Sequence, residues 1–329
     1  MLTAPRCRCC VSARGDLVLD LGEQPPSECF PALADPAPDL VAPLRLWLCA
    51  DCGLAQLADR ARLPEEPVGL EPAALAAQRA AALDWLLERE LVPPGARVAE
   101  FGSPHGGSFA ELLADRGMVL AGHDSTPALC GLLGRLGLTA IGARRFPLYG
   151  GTVCLVAASG PGAEPSAGRA AAELGDVLTR ELAAGVLDAD ALRGLQTAAA
   201  RTAGELRAFV LAECARGARV YGYGAASRAV ALLNLAGLHD GVLLGIADAA
   251  PAKQGSRMPG TRIPVISPAE LVDRTPDVVL VFVPELLAQA RAALPRIELG
   301  GGRWVDAAAP ELGRPHRTDV VAPRAAACN

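Results

Sequence analysis

Arg219-Val220-Tyr221-Gly222-Tyr223-Gly224-Ala225-Ala226-Ser227 reads as an apolar strand running into a glycine turn, with a helix expected over residues 228–235. The alternation then repeats. A strand over residues 242–247 ends at Asp248, and a punctuated loop carries Pro251-Ala252-Lys253-Gln254-Gly255 and Met258-Pro259-Gly260-Thr261-Arg262-Ile263-Pro264. A short helix over 268–271 and strands over 277–283 and 302–305 follow. Alternating βα units of this length make a parallel sheet whose ligand crevice opens at the carboxyl ends of its strands. Gly224, Asp248 and Lys253 all fall on that edge. Read alone, Gly222-x-Gly224-x-x-Ser227 followed by Asp248 also fits a dinucleotide fingerprint with serine in place of the third glycine, but the proline-rich lysine loop has no part in that logic.

Lys253 is the only lysine among the 31 Lys and Arg residues. In a chain rich in Ala, Arg, Gly and Pro, codon drift replaces lysine by arginine, and one survivor is compatible with chance. The alternative is a task that needs a compact ammonium on an anionic ligand, for which a planar guanidinium is not equivalent.

Hydrophobic residues make up 51% of the 329, enough for the cores of two or three domains. A net charge of −5 without a basic run argues against nucleic acid as the main partner and leaves room for a small anionic metabolite. No run of about 20 apolar residues is present to cross a bilayer. Met1-Leu2-Thr3-Ala4 lacks a charged-then-apolar secretory pattern, so the expected compartment is the cytoplasm. Thiols stay reduced there, and the ten cysteines point to metal before disulfides.

Cys7-Arg8-Cys9-Cys10 and Cys49-Ala50-Asp51-Cys52 each supply a C-x-x-C pair, the second followed at once by Gly53. Strands expected over 17–21 and 44–48, separated by a proline-rich loop, can bring the pairs together. Cys7, Cys10, Cys49 and Cys52 then offer four thiolates, which leave a zinc ion no open position and make its role structural. Cys9 and Cys29 remain as spare thiols.

Residues 72–91 carry helical periodicity at Leu75, Leu83, Leu86 and Leu87 before Pro93-Pro94. A strand over 96–101 opens into Gly102-Ser103-Pro104-His105-Gly106-Gly107-Ser108, and a second over 118–121 ends at Gly122-His123-Asp124. The spacing Glu100-x-Gly102-Ser103-x-x-Gly106 with Asp124 suits an adenosine-type ligand, because glycines admit it to the backbone and the acid accepts ribose hydroxyls; a plain glycine turn in an α/β core has the same spacing. A third strand near 138–141 is soon followed by one over 149–156, which leaves no room for the further βα units of a full nucleotide-binding domain. Residues 159–168 are rich in Gly, Pro and Ala, and 170–215 read as helical with a break over 185–190.

Taken together, these blocks resemble the sugar-nucleotide C-methyltransferase family, which acts on NDP-4-keto-6-deoxyhexoses in antibiotic sugar pathways. The resemblance rests on Cys7-Arg8-Cys9-Cys10, Leu21-Gly22 and Leu48-Cys49-Ala50-Asp51-Cys52-Gly53-Leu54, then on Glu100-Phe101-Gly102-Ser103. Most specific are Gly222-Tyr223-Gly224-Ala225-Ala226, Leu233-Asn234, Asp248, Pro251-Ala252-Lys253-Gln254-Gly255, Pro259-Gly260-Thr261 and Ile263-Pro264. It implies an α/β chain with a zinc-ribbon-like N-terminal domain (1–60), a truncated class I methyltransferase-like Rossmann core (61–158), a helical connector (159–216), a C-terminal Rossmann-like α/β domain (217–310) and a flexible tail (311–329). By the same resemblance, Glu100, Gly102, Ser103, Gly106 and Asp124 would hold S-adenosylmethionine. Tyr223, Gly224, Ala225, Arg228, Asn234, Asp248, Lys253, Gln254, Pro259, Gly260 and Thr261 would line the sugar-nucleotide site.

The departures matter as much. The family's Tyr-His-Glu-His motif, which contains the proposed base, precedes a Gly-Gly-Ser segment similar to Gly150-Gly151-Thr152; it is missing here, and none of His105, His123, His239 or His316 stands in its context. His105 replaces an expected acid, Arg228 stands where the family tends to have lysine, and Pro284-Glu285 replaces a Trp-Asn pair. Methylating a carbon beside a ketone needs a base and a donor held in line with the carbanion, and loss of the base alone costs about 10²- to 10⁴-fold. The expectation is therefore a sugar-nucleotide-binding protein of deoxysugar biosynthesis that has lost methyl transfer. Lys253 would pair with a diphosphate or stabilise an enolate, with proton transfer next to a carbonyl as replacement chemistry. One alternative is an S-adenosylmethionine-dependent sugar C-methyltransferase with an abbreviated core, using His105 or His123 as a replacement base. Another is a non-catalytic interaction protein.

Overall fold

The computed structural model describes residues 5–59, 73–92, 100–101, 119–121, 125–147, 151–159 and 168–310. The chain divides into two units, one comprising 1–20, 45–60 and 68–195, the other 21–44, 61–67 and 196–329. Strands β1 (Gly15–Gln24), β2 (Ala42–Cys49) and β3 (Ala55–Leu57) form a sheet in the order β1-β2-β3. The two strands expected over 17–21 and 44–48 are β1 and β2. The third, β3, pairs antiparallel with β2 through Trp47 and Gln56.

The remainder of the first unit is a sheet covered on both faces. Helix α1 (Ala73–Glu88) precedes β4 (Glu100–Phe101) and β5 (Val119–Ala121); α2 (Thr126–Arg135), β6 (Thr139–Phe146), β7 (Thr152–Ala158) and α3 (Arg169–Ala183) follow. The order is β4-β5-β7-β6. β4 and β5 are parallel, whereas β7 runs antiparallel to both of its neighbours. Parallel strands need a crossover of a dozen or more residues, and the short link from β6 to β7 permits only the antiparallel pairing seen. Along β7 the side chains alternate: Cys154 and Val156 pack with Trp85 and Leu86 of α1, and Leu155 and Ala157 pack with Leu133 of α2 and Leu174 and Val177 of α3. Among the described residues this region is thus a four-stranded mixed sheet. The helical stretch breaks at Gly185 (φ 75°) and resumes as α4 (Ala189–Ala215).

The second unit carries a five-stranded sheet in which every pairing is parallel, in the order β10-β9-β8-β11-β12. The elements are β8 (Val220–Tyr223), α5 (Ser227–Ala236), β9 (Ile246–Ala247), β10 (Val265–Ile266), α6 (Pro268–Asp273), β11 (Val278–Val281), α7 (Leu287–Ala293), α8 (Arg296–Leu299) and β12 (Arg303–Asp306). All four residues of β11 are buried, as a strand covered on both faces requires. Val220, Val278, Leu280 and Val305 face a core that includes Leu206, Phe209 and Val210 of α4 and Val230 and Leu233 of α5; Tyr221 and Val279 face Leu271 and Ile297. Each aliphatic side chain fully buried this way contributes about 1.5–3 kcal/mol. The strand expected over 242–247 shrinks to two residues because the N–H groups of Val242 and Leu243 both go to the carbonyl of His239, at 2.9 and 3.0 Å, and form a turn. Among the described residues no helix is long and apolar enough to cross a membrane.

Candidate functional site

In the first unit, the Sγ atoms of Cys7, Cys10, Cys49 and Cys52 all lie within 4.8 Å of one another. Cys7 and Cys52 are 3.4 Å apart, and Cys10 and Cys49 3.5 Å. Four sulfurs about 2.3 Å from a central zinc stand about 3.8 Å apart, so the cluster fits that ion. The two knuckles repeat one geometry: Val11 N–H donates to Cys7 O at 2.9 Å and Gly53 N–H to Cys49 O at 3.0 Å, both residues in the left-handed region at φ 55° and 71°. Burial opposes the Cys7 thiolate, but N–H groups of Cys10 and Cys9 and the neighbouring thiols outweigh it and bring the group down to about 7. Gln56 braces the first knuckle, donating to Arg6 O at 2.9 Å and accepting from Arg8 N–H at 2.8 Å. Asp51 braces the second by accepting from Ser12 Oγ and, at 2.8 Å, from Arg14. A shell closed by four sulfurs leaves no position for substrate and supports folding instead.

In the second unit, β8 ends at Tyr223, and Gly224 turns the chain at φ 89°, where a Cβ would meet Val283 Cγ2 at 2.8 Å. Asp248, just beyond β9, accepts the Ala225 N–H through Oδ2 and the Ala250 N–H through Oδ1, each at 2.8 Å, while Gln254 Nε2 donates to its carbonyl at 2.9 Å. The acid thereby staples the glycine turn to the lysine loop. Lys253 Nζ donates to Ala225 O at 2.9 Å, lies 3.8 Å from Glu28 Oε2 and stands 4.8 Å from the centroid of the Phe30 ring. Glu28 Oε1 accepts from Ser227 Oγ. Arg228 Nη2 lies 3.2 Å from Glu285 Oε1, so two of the departures noted above face one another. Tyr223 meets Trp304 edge to face at 5.6 Å, and burial, then the Asp248 charge, push its phenol up.

Other predicted residues hold the outer loop. Asn234 Nδ2 donates to Val230 O at 2.8 Å and Pro259 O at 3.0 Å. Gly260, at φ 76°, leaves room for that amide: a Cβ there would stand 2.1 Å from Asn234 Oδ1. Thr261 is buried, its hydroxyl donating to Met258 O and accepting from Ile263 N–H, both at 3.4 Å. The segment 25–40 packs on this loop through backbone bonds from Leu33 N–H to Gly255 O (3.2 Å) and from Arg257 N–H to Pro31 O (2.9 Å). A cavity of about 170 Å³ lies there, lined by Cys29, Asp35, Asp39 and Arg257 among others. Burial and the Glu28 charge push the Cys29 thiol up.

Residues 147–308 match the family described as the C-methyltransferase C-terminal domain, and residues 7–65 match the one described as a putative zinc binding domain. Over the first of these stretches the chain is similar to C-methyltransferases. C-methyltransferase NovU of Streptomyces niveus is 29% identical over 185 residues, covering 55% of this chain and 42% of NovU. The matched region therefore spans less than half of that relative's length.

Within this chain, the C-terminal match runs from β7 to β12 and takes in every crevice residue from Tyr223 to Glu285, and the N-terminal match holds all four clustered cysteines. Of the expected S-adenosylmethionine contacts, Glu100 begins β4, while Gly102, Ser103, Gly106 and Asp124 lie outside the described residues, as do His105, His123 and His316. Just beyond Asp124, the start of α2 is filled by the chain itself, since Glu181 accepts from Thr126 N–H at 2.6 Å and Thr126 Oγ1 at 2.8 Å. Glu28, Phe30, Asp39 and Arg257 were invisible to sequence reasoning. The proline-rich loop around the first three carries no motif, and Arg257 differs from the other arginines only in its burial.

Proposed function

We propose that this chain is a cytoplasmic, sugar-nucleotide-binding member of the C-methyltransferases that no longer transfers a methyl group, with a structural zinc in its N-terminal knuckles. The observation that carries the reading is the contrast between the two larger sheets. In the C-terminal unit, an all-parallel sheet gathers Gly224, Ala225, Asp248, Lys253 and Gln254 at one edge, where α/β folds bind their ligands. In the first unit, the sheet closes with an antiparallel β6–β7 hairpin in the stretch where the family's base motif would fall. Lys253 supplies the point charge to a diphosphate, with Arg228, Asn234 and Tyr223 around it as orienting groups. The ligand is a small molecule; a net charge of −5 disfavours nucleic acid.

A transfer assay tests the loss of methylation. Protein incubated with a dTDP-4-keto-6-deoxyhexose and methyl-labelled S-adenosylmethionine should leave no label in the sugar. Label in the sugar above the protein-free control overturns the reading in favour of an abbreviated methyltransferase.

A further inference from the structure

Glu28 reaches the glycine turn from a separate segment and satisfies the groups an incoming anion would use. Its Oε1 accepts from Ser227 Oγ at the first residue of α5, a ten-residue helix with no side-chain cap of its own, and Oε2 lies 3.8 Å from Lys253 Nζ. The Ala225 N–H is already held by Asp248, and Glu285 faces Arg228. The Ala225 N–H, Ser227 Oγ, Lys253 and Arg228 therefore each face a carboxylate of the chain. These carboxylates are not equally fixed. Asp248 is tied by two backbone N–H groups, and Glu285 lies in the 3₁₀ turn that follows β11. Glu28 sits on the turn closed by Cys29 N–H to Pro26 O at 3.3 Å, outside the sheet, and reaches the crevice through Ser227 Oγ and the Lys253 ammonium.

We propose that Glu28 is an in-chain stand-in for the ligand's phosphate, displaced when a diphosphate-bearing ligand enters, and that it sets the charge a ligand must carry to bind. This rests on the reading of the crevice as a sugar-nucleotide site. A carboxylate that occupies the site lowers apparent affinity by the fraction of molecules in which it has left. A singly charged ligand meets an equal competitor already in place; a diphosphate brings more charge and more acceptor oxygens to the same lysine and helix start.

Titration calorimetry with thymidine diphosphate and with inorganic pyrophosphate, on wild type, Glu28→Gln, Glu28→Ala and Lys253→Ala, tests this, each protein first shown folded by circular dichroism. Both Glu28 variants should bind roughly tenfold or more tightly than wild type, and Lys253→Ala more weakly. Glu28 variants that bind no better than a wild type which does bind overturn the displacement and leave the crevice reading standing. No binding by any of the proteins, or binding indifferent to Lys253→Ala, overturns both.

Discussion

Arg257 and Asp39 form a buried ion pair between two segments distant in sequence: Nη1 lies 2.6 Å from both carboxylate oxygens, and Asp39 Oδ2 also receives the Gly260 N–H at 2.5 Å. The side chains are 2% and 12% exposed. Removing one partner of such a pair leaves an uncompensated charge and costs about 3–5 kcal/mol. Asp39→Ala is expected to lower unfolding free energy by about 3 kcal/mol in urea titration. A loss below about 1 kcal/mol, the range of an exposed pair, would contradict the role given to it.

The same pair makes stability depend on acid. Burial opposes the Asp39 carboxylate, but hydrogen bonds from Arg257 and Gly260 and the charges of Arg257 and Arg262 outweigh it and hold the group below its ordinary range. A folded-state value lower than the unfolded one, about 3.9, adds stability that is complete above that value and is lost as pH falls through the folded one. Urea unfolding repeated from pH 6 downward should show a steeper loss below about pH 4 in wild type than in Asp39→Asn. Equal slopes would remove Asp39 from the account.

Gly260→Ala tests the outer loop. The substitution asks for a left-handed backbone at φ 76° and puts a methyl group 2.1 Å from Asn234 Oδ1, so it displaces the amide that ties α5 to Pro259. Backbone strain of this kind costs about 1–3 kcal/mol. Thermal melting should fall accordingly, and sugar-nucleotide affinity with it; an unchanged melting point would show that the loop adapts.

For the cysteine cluster, protein purified without chelator should carry about one zinc per chain, and Cys49→Ser should lose both metal and stability. Wild-type content below about half an equivalent would contradict the tetrathiolate site.

Legibility of these features followed the range of the forces behind them. The C-x-x-C pairs, the break at Gly185 and the strand–turn–helix at Tyr223–Ser227 depend on local residue types, and each falls where periodicity and punctuation place it. The direction of β7 was not written in its apolar run, because a strand buried on both faces reads the same in either sense; the short link to β6 decided it. The strand ending at Ala247 shortened because one carbonyl, His239, captured two N–H groups, a competition that propensity does not register. Glu28 and Asp39 act through partners more than a domain away along the chain, and a proline-rich loop without periodicity gives no sign of what it will pack against.

The central claim is that the C-terminal crevice has kept its ligand while the methyl-donor side has not. Calorimetry on the wild-type protein with a dTDP-4-keto-6-deoxyhexose and, separately, with S-adenosylmethionine, repeated on Lys253→Ala and Lys253→Arg, tests it most directly. The account predicts micromolar binding of the sugar nucleotide, weakened by both substitutions, and no measurable binding of S-adenosylmethionine. Micromolar binding of S-adenosylmethionine, or a sugar nucleotide that binds equally to all the proteins or to none, would contradict it.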